Sequence, residues 1–194
     1  MSLTFFNDIG FVTLGVLAWL SLYFICVVWV FLYRYFRLSS IISNEKEAVE
    51  SLLMGKNSLM ASSALSINLR KVDKKITQSM LQYSMDQAIK DATVGLSFLA
   101  IVASTAPFIG LFGTVIEILE AFSKLGMNSK ATLDVIAPVI SKALVATAVG
   151  ILTAIPAYSF NLILKRKVFE LNTYLQAQIN ILLSPNNSKT TTME

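Results

Sequence analysis

The sequence predicts an all-α membrane protein with three transmembrane helices. Its composition is 55% hydrophobic and its mean hydropathy is +0.64, which is too apolar for an ordinary soluble domain. Three apolar runs are each long enough to cross a hydrocarbon core of about 30 Å. Backbone groups in lipid must be hydrogen-bonded within the protein, which favours helices. We therefore place spans at residues 9–33, 93–122 and 135–164.

The first span, residues 9–33, contains the run FVTLGVLAWLSLYFICVVWVFLY and no charged residue. A cleavable signal peptide would have a basic region before a shorter apolar run, so we expect a retained helix. Residues 1–8 form a short segment ahead of it. Cys26 is the one cysteine of the chain, so no disulfide can form within the chain.

Basic residues predict the orientation of the spans, because cytoplasmic loops carry an excess of lysine and arginine. We expect the 34–92 segment and the tail after residue 164 to be cytoplasmic. The N-terminus and the 123–134 link then lie outside. The net charge of +4 needs no nucleic-acid partner, since this asymmetry accounts for it. The basic residues beside the spans are Arg34, Arg37, Lys90, Lys165, Arg166 and Lys167.

The two cytoplasmic segments are predicted to be helical extensions of the spans. In the first, residues 38–92 are about 55 residues long and too short for a catalytic domain, and a turn at 55–58 precedes an amphipathic helix. The basic face of that helix is either solvated or a contact for acidic lipid head groups. The tail at 165–185 keeps helical spacing, and residues 186–194 are expected to be disordered. The apolar positions of the amphipathic helix are Leu65, Leu69, Val72 and Ile76.

The sequence offers little chemistry for an enzyme. There is no histidine, which removes the commonest metal ligand and the usual proton shuttle at neutral pH. No glycine-rich phosphate loop is present in the sequence. We therefore expect no enzymatic activity, no metal site and no cofactor.

Spans two and three are rich in small residues, which let helix backbones approach closely. Span two contains ASTAPFIGLFGTV and span three contains SKALVATAVGILTAIPA. We expect Pro107 and Pro156 to bend these helices, since each proline removes a backbone donor. The candidate helix-packing residues are Ala106, Gly110, Gly113, Ala146, Gly150 and Ala154.

Four threonines lie well inside the same two spans. A membrane threonine usually returns its hydroxyl to a carbonyl three or four residues back in its own helix. The alternative is a hydroxyl that lines an ion path. The sequence leaves both open for Thr105, Thr114, Thr147 and Thr153.

Two charged residues lie towards the predicted outer ends of these spans. At 1.5 Å per residue, Glu117 is about 4.5 Å outward of Thr114, and Lys142 is about 7.5 Å outward of Thr147. A charge in a span costs about 2.5–3.5 kcal/mol even on lenient scales, so it usually has a partner or water. We hypothesise an ion pair between Glu117 and Lys142, within or between subunits. The alternative is a lysine that snorkels unpaired to the outer surface.

At these residues the sequence resembles a known family. The runs TAPFIGLFGTV (Thr105 to Val115) and IAPVISKALVATAVGILTAIPA (Ile136 to Ala157) are similar to the signature of the MotA/TolQ/ExbB proton channel family, in its TolQ/ExbB branch. Three spans and their orientation agree with it. The 34–92 segment adds no support.

The resemblance implies a ring, expected to be a pentamer, in the bacterial inner membrane with a periplasmic N-terminus. Spans two and three would line a pore that holds a single-span TolR/ExbD-like dimer carrying a membrane aspartate. Thr114 and Thr147 match the family's pore-lining threonines and would offer hydroxyls to that aspartate or to water. Membrane lipid and a TolA/TonB-like protein are further candidate partners.

One departure from the family pattern concerns the polar layer above the threonines. The family usually has glutamate where this chain has Lys142, and a small residue where it has Glu117. The acid has thus moved from span three to span two. We expect the polar layer to persist with a changed electrostatic field.

The predicted function is a proton-channel and stator subunit that uses proton-motive force to drive work at the outer membrane. A Tol role in envelope maintenance is slightly favoured over an ExbB role in nutrient uptake, without a deciding residue. A flagellar stator is disfavoured, because that branch has four spans and a larger cytoplasmic domain. The rivals are a passive membrane scaffold and a small-solute transporter, and the lack of inverted repeats counts against the transporter.

Overall fold

The computed structural model describes residues 11–54, 63, 65, 78–126 and 133–184. Within them the chain forms four helices, separated by short breaks and by the segments that are not described. The predicted turn at 55–58, most of the amphipathic helix after it, the N-terminal 1–8 segment and the 186–194 tail lie outside the described residues. The helices are α1 (Phe11–Leu53), α2 (Gln78–Thr93), α3 (Leu96–Gly126) and α4 (Leu133–Leu183).

Three helices of the described chain are long and apolar enough to cross a membrane, as the sequence predicts. They are α1, the stretch Gln78–Ser123 that comprises α2 and most of α3, and Ala137–Leu183 within α4. Their large apolar side chains are widely exposed: Trp29 is 74% exposed, Phe108 70% and Leu152 64%. A water-soluble monomer rarely exposes so much apolar surface, so these side chains need lipid or other protein around them.

The helix ends differ in detail from the predicted spans. Helix α1 runs on to Leu53, and α4 runs through the predicted tail to Leu183. Helix α3 begins at Leu96, because Gly95 has a φ of 91° that breaks the chain away from α2. The helices continue across Pro107 and Pro156, and the predicted bends remain a prediction.

The described residues fall into two compact units. The first unit comprises the described residues within 1–31 and 97–161. In it, α1 packs on α3 through an edge-on contact of Tyr23 with Phe98, whose ring centroids are 6.4 Å apart. It packs on α4 through Phe31 and Phe160, stacked at 3.9 Å with an interplanar angle of 10°.

The second unit comprises the described residues within 32–96 and 162–194. Its core is a set of buried leucines from α1, α2, α4 and the chain at residue 65. Arg34 adds a polar contact by donating to the backbone carbonyl of Asp91 at 3.2 Å. The buried leucines are Leu38, Leu52, Leu65, Leu81, Leu164, Leu171 and Leu175.

Candidate functional site

Helices α3 and α4 are in close backbone contact within the first unit. A Cβ atom added at Gly110 would lie 2.6 Å from the carbonyl oxygen of Ala146. One added at Gly150 would lie 2.7 Å from the carbonyl oxygen of Ala106. Real Cβ atoms essentially never come within 3.0 Å of another heavy atom, so glycine is needed at both positions. The two contacts also show that the helices run antiparallel.

The remaining candidate packing residues extend this α3–α4 interface. A Cβ atom at Gly113 would meet the Val16 side chain of α1 at 3.1 Å and that of Ala146 at 3.3 Å. Gly113 is therefore a further point at which α1 contacts the two helices. Ala146 and Ala106 are fully buried, and Ala154 is nearly so.

The two threonines singled out by the sequence meet across the same interface. The Oγ1 atoms of Thr114 and Thr147 are 2.6 Å apart, a short hydrogen bond between hydroxyls. The Thr114 hydroxyl also lies 3.2 Å from the carbonyl oxygens of Gly110 in its own helix and Ala143 in α4. Thr114 is buried and Thr147 is half-buried.

The number of hydroxyl hydrogens available to the nearby acceptors indicates which threonine donates in this hydrogen bond. Thr114 has one hydroxyl hydrogen and two carbonyl oxygens within reach, and carbonyls cannot donate. Two hydrogen bonds form if Thr114 donates to a carbonyl while Thr147 donates to Thr114. If Thr114 instead donates to Thr147, both carbonyl contacts are lost. The first arrangement leaves the lone pairs of the half-buried Thr147 oxygen facing outward.

The other two threonines are satisfied within their own helices. Thr105 donates to the carbonyl of Ile101 at 2.8 Å, and Thr153 donates to that of Val149 at 2.9 Å. This is the local bond expected of membrane threonines. The sequence leaves open whether each threonine bonds locally or lines an ion path. The structure shows local bonding for Thr105 and Thr153.

The two charged candidates lie in the first unit beside the hydroxyl pair. Glu117 is only 6% exposed, one helical turn from Thr114. Its Oε2 atom is buried and has no hydrogen-bond partner in the described part of the chain. Lys142 is half-buried on α4. The ion pair between Glu117 and Lys142 remains a prediction.

The second unit also contains a buried polar cluster that was not predicted from the sequence. Glu45 and Gln178 are 1% and 0% exposed. The Gln178 amide donates to the Glu45 Oε2 atom at 2.7 Å and to its backbone carbonyl at 3.3 Å. The Ser63 hydroxyl lies 2.9 Å from the same Oε2 atom and 3.1 Å from the Gln178 Oε1 atom. This cluster ties α1, α4 and the chain at residue 63 together.

Helical spacing offers a signal for this cluster. Gln178 lies three residues after Leu175, on the apolar stripe of α4, and Glu45 lies three residues after Ile42 on that of α1. A polar residue on a buried stripe needs a polar partner. Nothing in the sequence pairs the two, because they are 133 positions apart.

Comparison with known proteins identifies the family. The profile of the MotA/TolQ/ExbB proton channel family matches residues 50–177. An ExbB-like biopolymer transport protein of Helicobacter pylori (strain ATCC 700392 / 26695) is 50% identical over 182 residues, covering 93% of this chain and 95% of that protein. This chain belongs to the MotA/TolQ/ExbB family. With its three long apolar helices, it is a multi-pass membrane protein.

Shorter matches within the MotA/TolQ/ExbB family carry both branch names. The Tol-Pal system protein TolQ of Haemophilus influenzae is 46% identical over 83 residues, 43% of this chain and 36% of that protein. The biopolymer transport protein ExbB of Xanthomonas campestris (strain B100) is 40% identical over 86 residues, 40% of this chain and 34% of that protein. The α3–α4 interface lies inside the family match.

Proposed function

We propose that this protein is the proton-conducting subunit of a TolQ/ExbB-type motor in the bacterial inner membrane. The observation that carries the proposal is the bond between Thr114 and Thr147, a pair of hydroxyls in an interface built largely of small residues. The two helices that hold them are fixed by glycine contacts at Gly110 and Gly150. Such an interface holds a polar group at a defined place in the membrane.

The proposed partner is a single-span TolR/ExbD-like protein that carries a membrane aspartate. Spans two and three of this chain have neither aspartate nor histidine at mid-span, so a partner must supply the group that binds the proton at that depth. Hydroxyls beside that carboxyl group can donate to its ionised form and accept from its protonated form. Protonation removes a charge that is costly in the membrane, which frees the partner helix to move.

The proposed arrangement is a ring of subunits around the partner, with α3 and α4 facing the pore. The exposed apolar side chains of the first unit support it, since they provide surface for lipid and neighbouring subunits. The basic residues after the spans support a periplasmic N-terminus and cytoplasmic helix extensions. A TolA/TonB-like protein would then carry the force outward.

The similarity favours an ExbB-type role, energising uptake through outer-membrane receptors, because an ExbB-like relative matches over 95% of its own length. The sequence alone slightly favours the Tol role. A deletion strain distinguishes the two branches. Impaired growth when a receptor-dependent nutrient is scarce supports uptake, whereas detergent sensitivity with normal uptake supports envelope maintenance.

The experiment that tests conduction is proton flux into liposomes containing the complex with its single-span partner. We expect Thr147→Val to abolish partner-dependent flux while the complex stays assembled. Thr105→Val is the matched control, because its hydroxyl is already bonded within its own helix, and it should conduct normally. Equal flux in wild type and Thr147→Val would contradict the proposed path. No flux in any assembled complex would support a scaffold.

A further inference from the structure

The Oε2 atom of Glu117 is the one buried side-chain nitrogen or oxygen in the described residues that lacks a hydrogen-bond partner. An ionised carboxylate in a low-dielectric site is costly unless it is paired, and the usual resolution is to bind a proton or a cation. The Glu117 side chain is 6% exposed, so water does not solvate it freely. The structure thus leaves one acceptor that requires a partner.

Glu117 also continues a line of polar groups along the inner faces of the first unit. It is three residues from Thr114, a spacing that places two Cβ atoms about 5–6 Å apart on one helix face. Helix α1 runs antiparallel to α3, since Val16 lies beside Gly113 while Tyr23 meets Phe98.

A buried hydroxyl group of α1 lies at about the same depth as Glu117. Thr13 lies one turn before Val16, and Glu117 lies one turn after Gly113, so both lie beyond the Val16–Gly113 contact in the same direction. Thr13 is 2% exposed. Buried hydroxyl groups thus lie at about the depth of Glu117 on α1 and one turn away along α3.

We propose that Glu117 is a proton-binding site of this channel, which receives protons from the outer side and passes them towards the Thr114–Thr147 pair. This inference rests on the proposed function. A hydronium ion transfers a proton to the Glu117 carboxylate, leaving a neutral carboxylic acid and water. The acid then releases that proton, through the Thr114 hydroxyl or a water beside it, to the carboxylate of the partner.

Among the described residues of the first unit, the other charged side chains lie on α3 and α4. Glu120 follows one turn later on α3, and Lys142 lies on α4. Helix α1 has no charged residue from Phe11 to Tyr33. Because the buried Oε2 atom has no hydrogen-bond partner in the described residues, we take a proton as its occupant. A basic side chain, from this chain or from a second copy, is the competing occupant.

The test compares Glu117→Gln with Glu120→Gln in liposomes containing the complex with its partner. Glutamine keeps the shape but cannot carry a proton, so flux should fall by roughly 100-fold or more, the lower range for a positioned proton-transfer group. Glu120 is exposed, and its variant should conduct like the wild type. Glu117→Asp should restore part of the flux.

An infrared readout separates proton binding from a structural role. The carbonyl band of a protonated carboxyl group should be present in the wild-type complex, be lost in Glu117→Gln and persist in Glu120→Gln. Normal flux in Glu117→Gln while Thr147→Val abolishes it would overturn this inference and leave the proposed function standing. Loss of assembly in both Glu117→Gln and Lys142→Met would assign Glu117 to an ion pair between copies instead. Absence of flux in the wild type would overturn both proposals.

Discussion

Replacing Gly110 by alanine is the sharpest test of the α3–α4 interface. The new methyl carbon would lie 2.6 Å from the Ala146 carbonyl oxygen and 3.0 Å from the Thr147 Cα atom. Both are backbone atoms of a continuous helix, so no side chain can rotate away. Ordinary contact begins at 3.4 Å, so the two helices must separate locally by about 0.8 Å.

Two consequences of this separation can be measured. Overpacking of this kind costs about 1–3 kcal/mol in the free energy of unfolding. The hydroxyl bond between Thr114 and Thr147, now 2.6 Å, would stretch to about 3.4 Å if the shift acted along it, beyond the usual range. We therefore expect Gly110→Ala to lower both stability and partner-dependent proton flux.

The assay is unfolding by denaturing detergent in mixed micelles, with flux measured on the same preparations. Gly15→Ala is the control, because nothing lies within 4 Å of its added Cβ atom and alanine favours the helix by about 0.5–1 kcal/mol. Gly113→Ala should be intermediate, since it meets side chains that can move. The reasoning is refuted if Gly110→Ala is as stable and as conductive as Gly15→Ala.

Two further predictions concern stability. Gln178→Leu should lower the free energy of unfolding by about 1–3 kcal/mol, because it removes a donor from the buried Glu45 carboxyl group. The control is Gln176→Leu at an exposed position of the same helix. Equal effects of the two substitutions would contradict a role for the cluster. Phe160→Leu should cost about 0.5–1.5 kcal/mol by removing its stacking with α1, measured in the same detergent assay. Phe108→Leu, at a 70% exposed ring, should change little, and a comparable loss there would rule out stacking as the cause.

The sequence predicts the membrane helices well, because their signal is local. Long apolar runs and small residues at every fourth position depend on neighbours within one helix. The family signature then points to Thr114 and Thr147. Helix ends are harder, since the backbone at Gly95 and the continuation of α1 to Leu53 depend on packing as well as composition.

Contacts between distant parts of the chain could not be predicted. In the sequence, Glu45 is one of several glutamates in a polar stretch. Its contact with Gln178 forms only in the folded chain. The buried state of Glu117 is similar, because the sequence shows a charge near a span end, while its burial depends on two other helices. Side-chain environment is a property of the tertiary structure.

Small residues at every fourth position raise the question of whether α3 and α4 could slide past each other by four residues, about 6 Å. That slip would put Thr114 where Gly110 now meets the Ala146 carbonyl, and Ala154 where Gly150 now meets the Ala106 carbonyl. Each would bring a Cβ atom to within 3.0 Å of a backbone oxygen. The slip would also separate Thr114 from Thr147. The two glycines and the hydroxyl pair thus select one alignment of the helices, as a buried asparagine selects the register of a coiled coil.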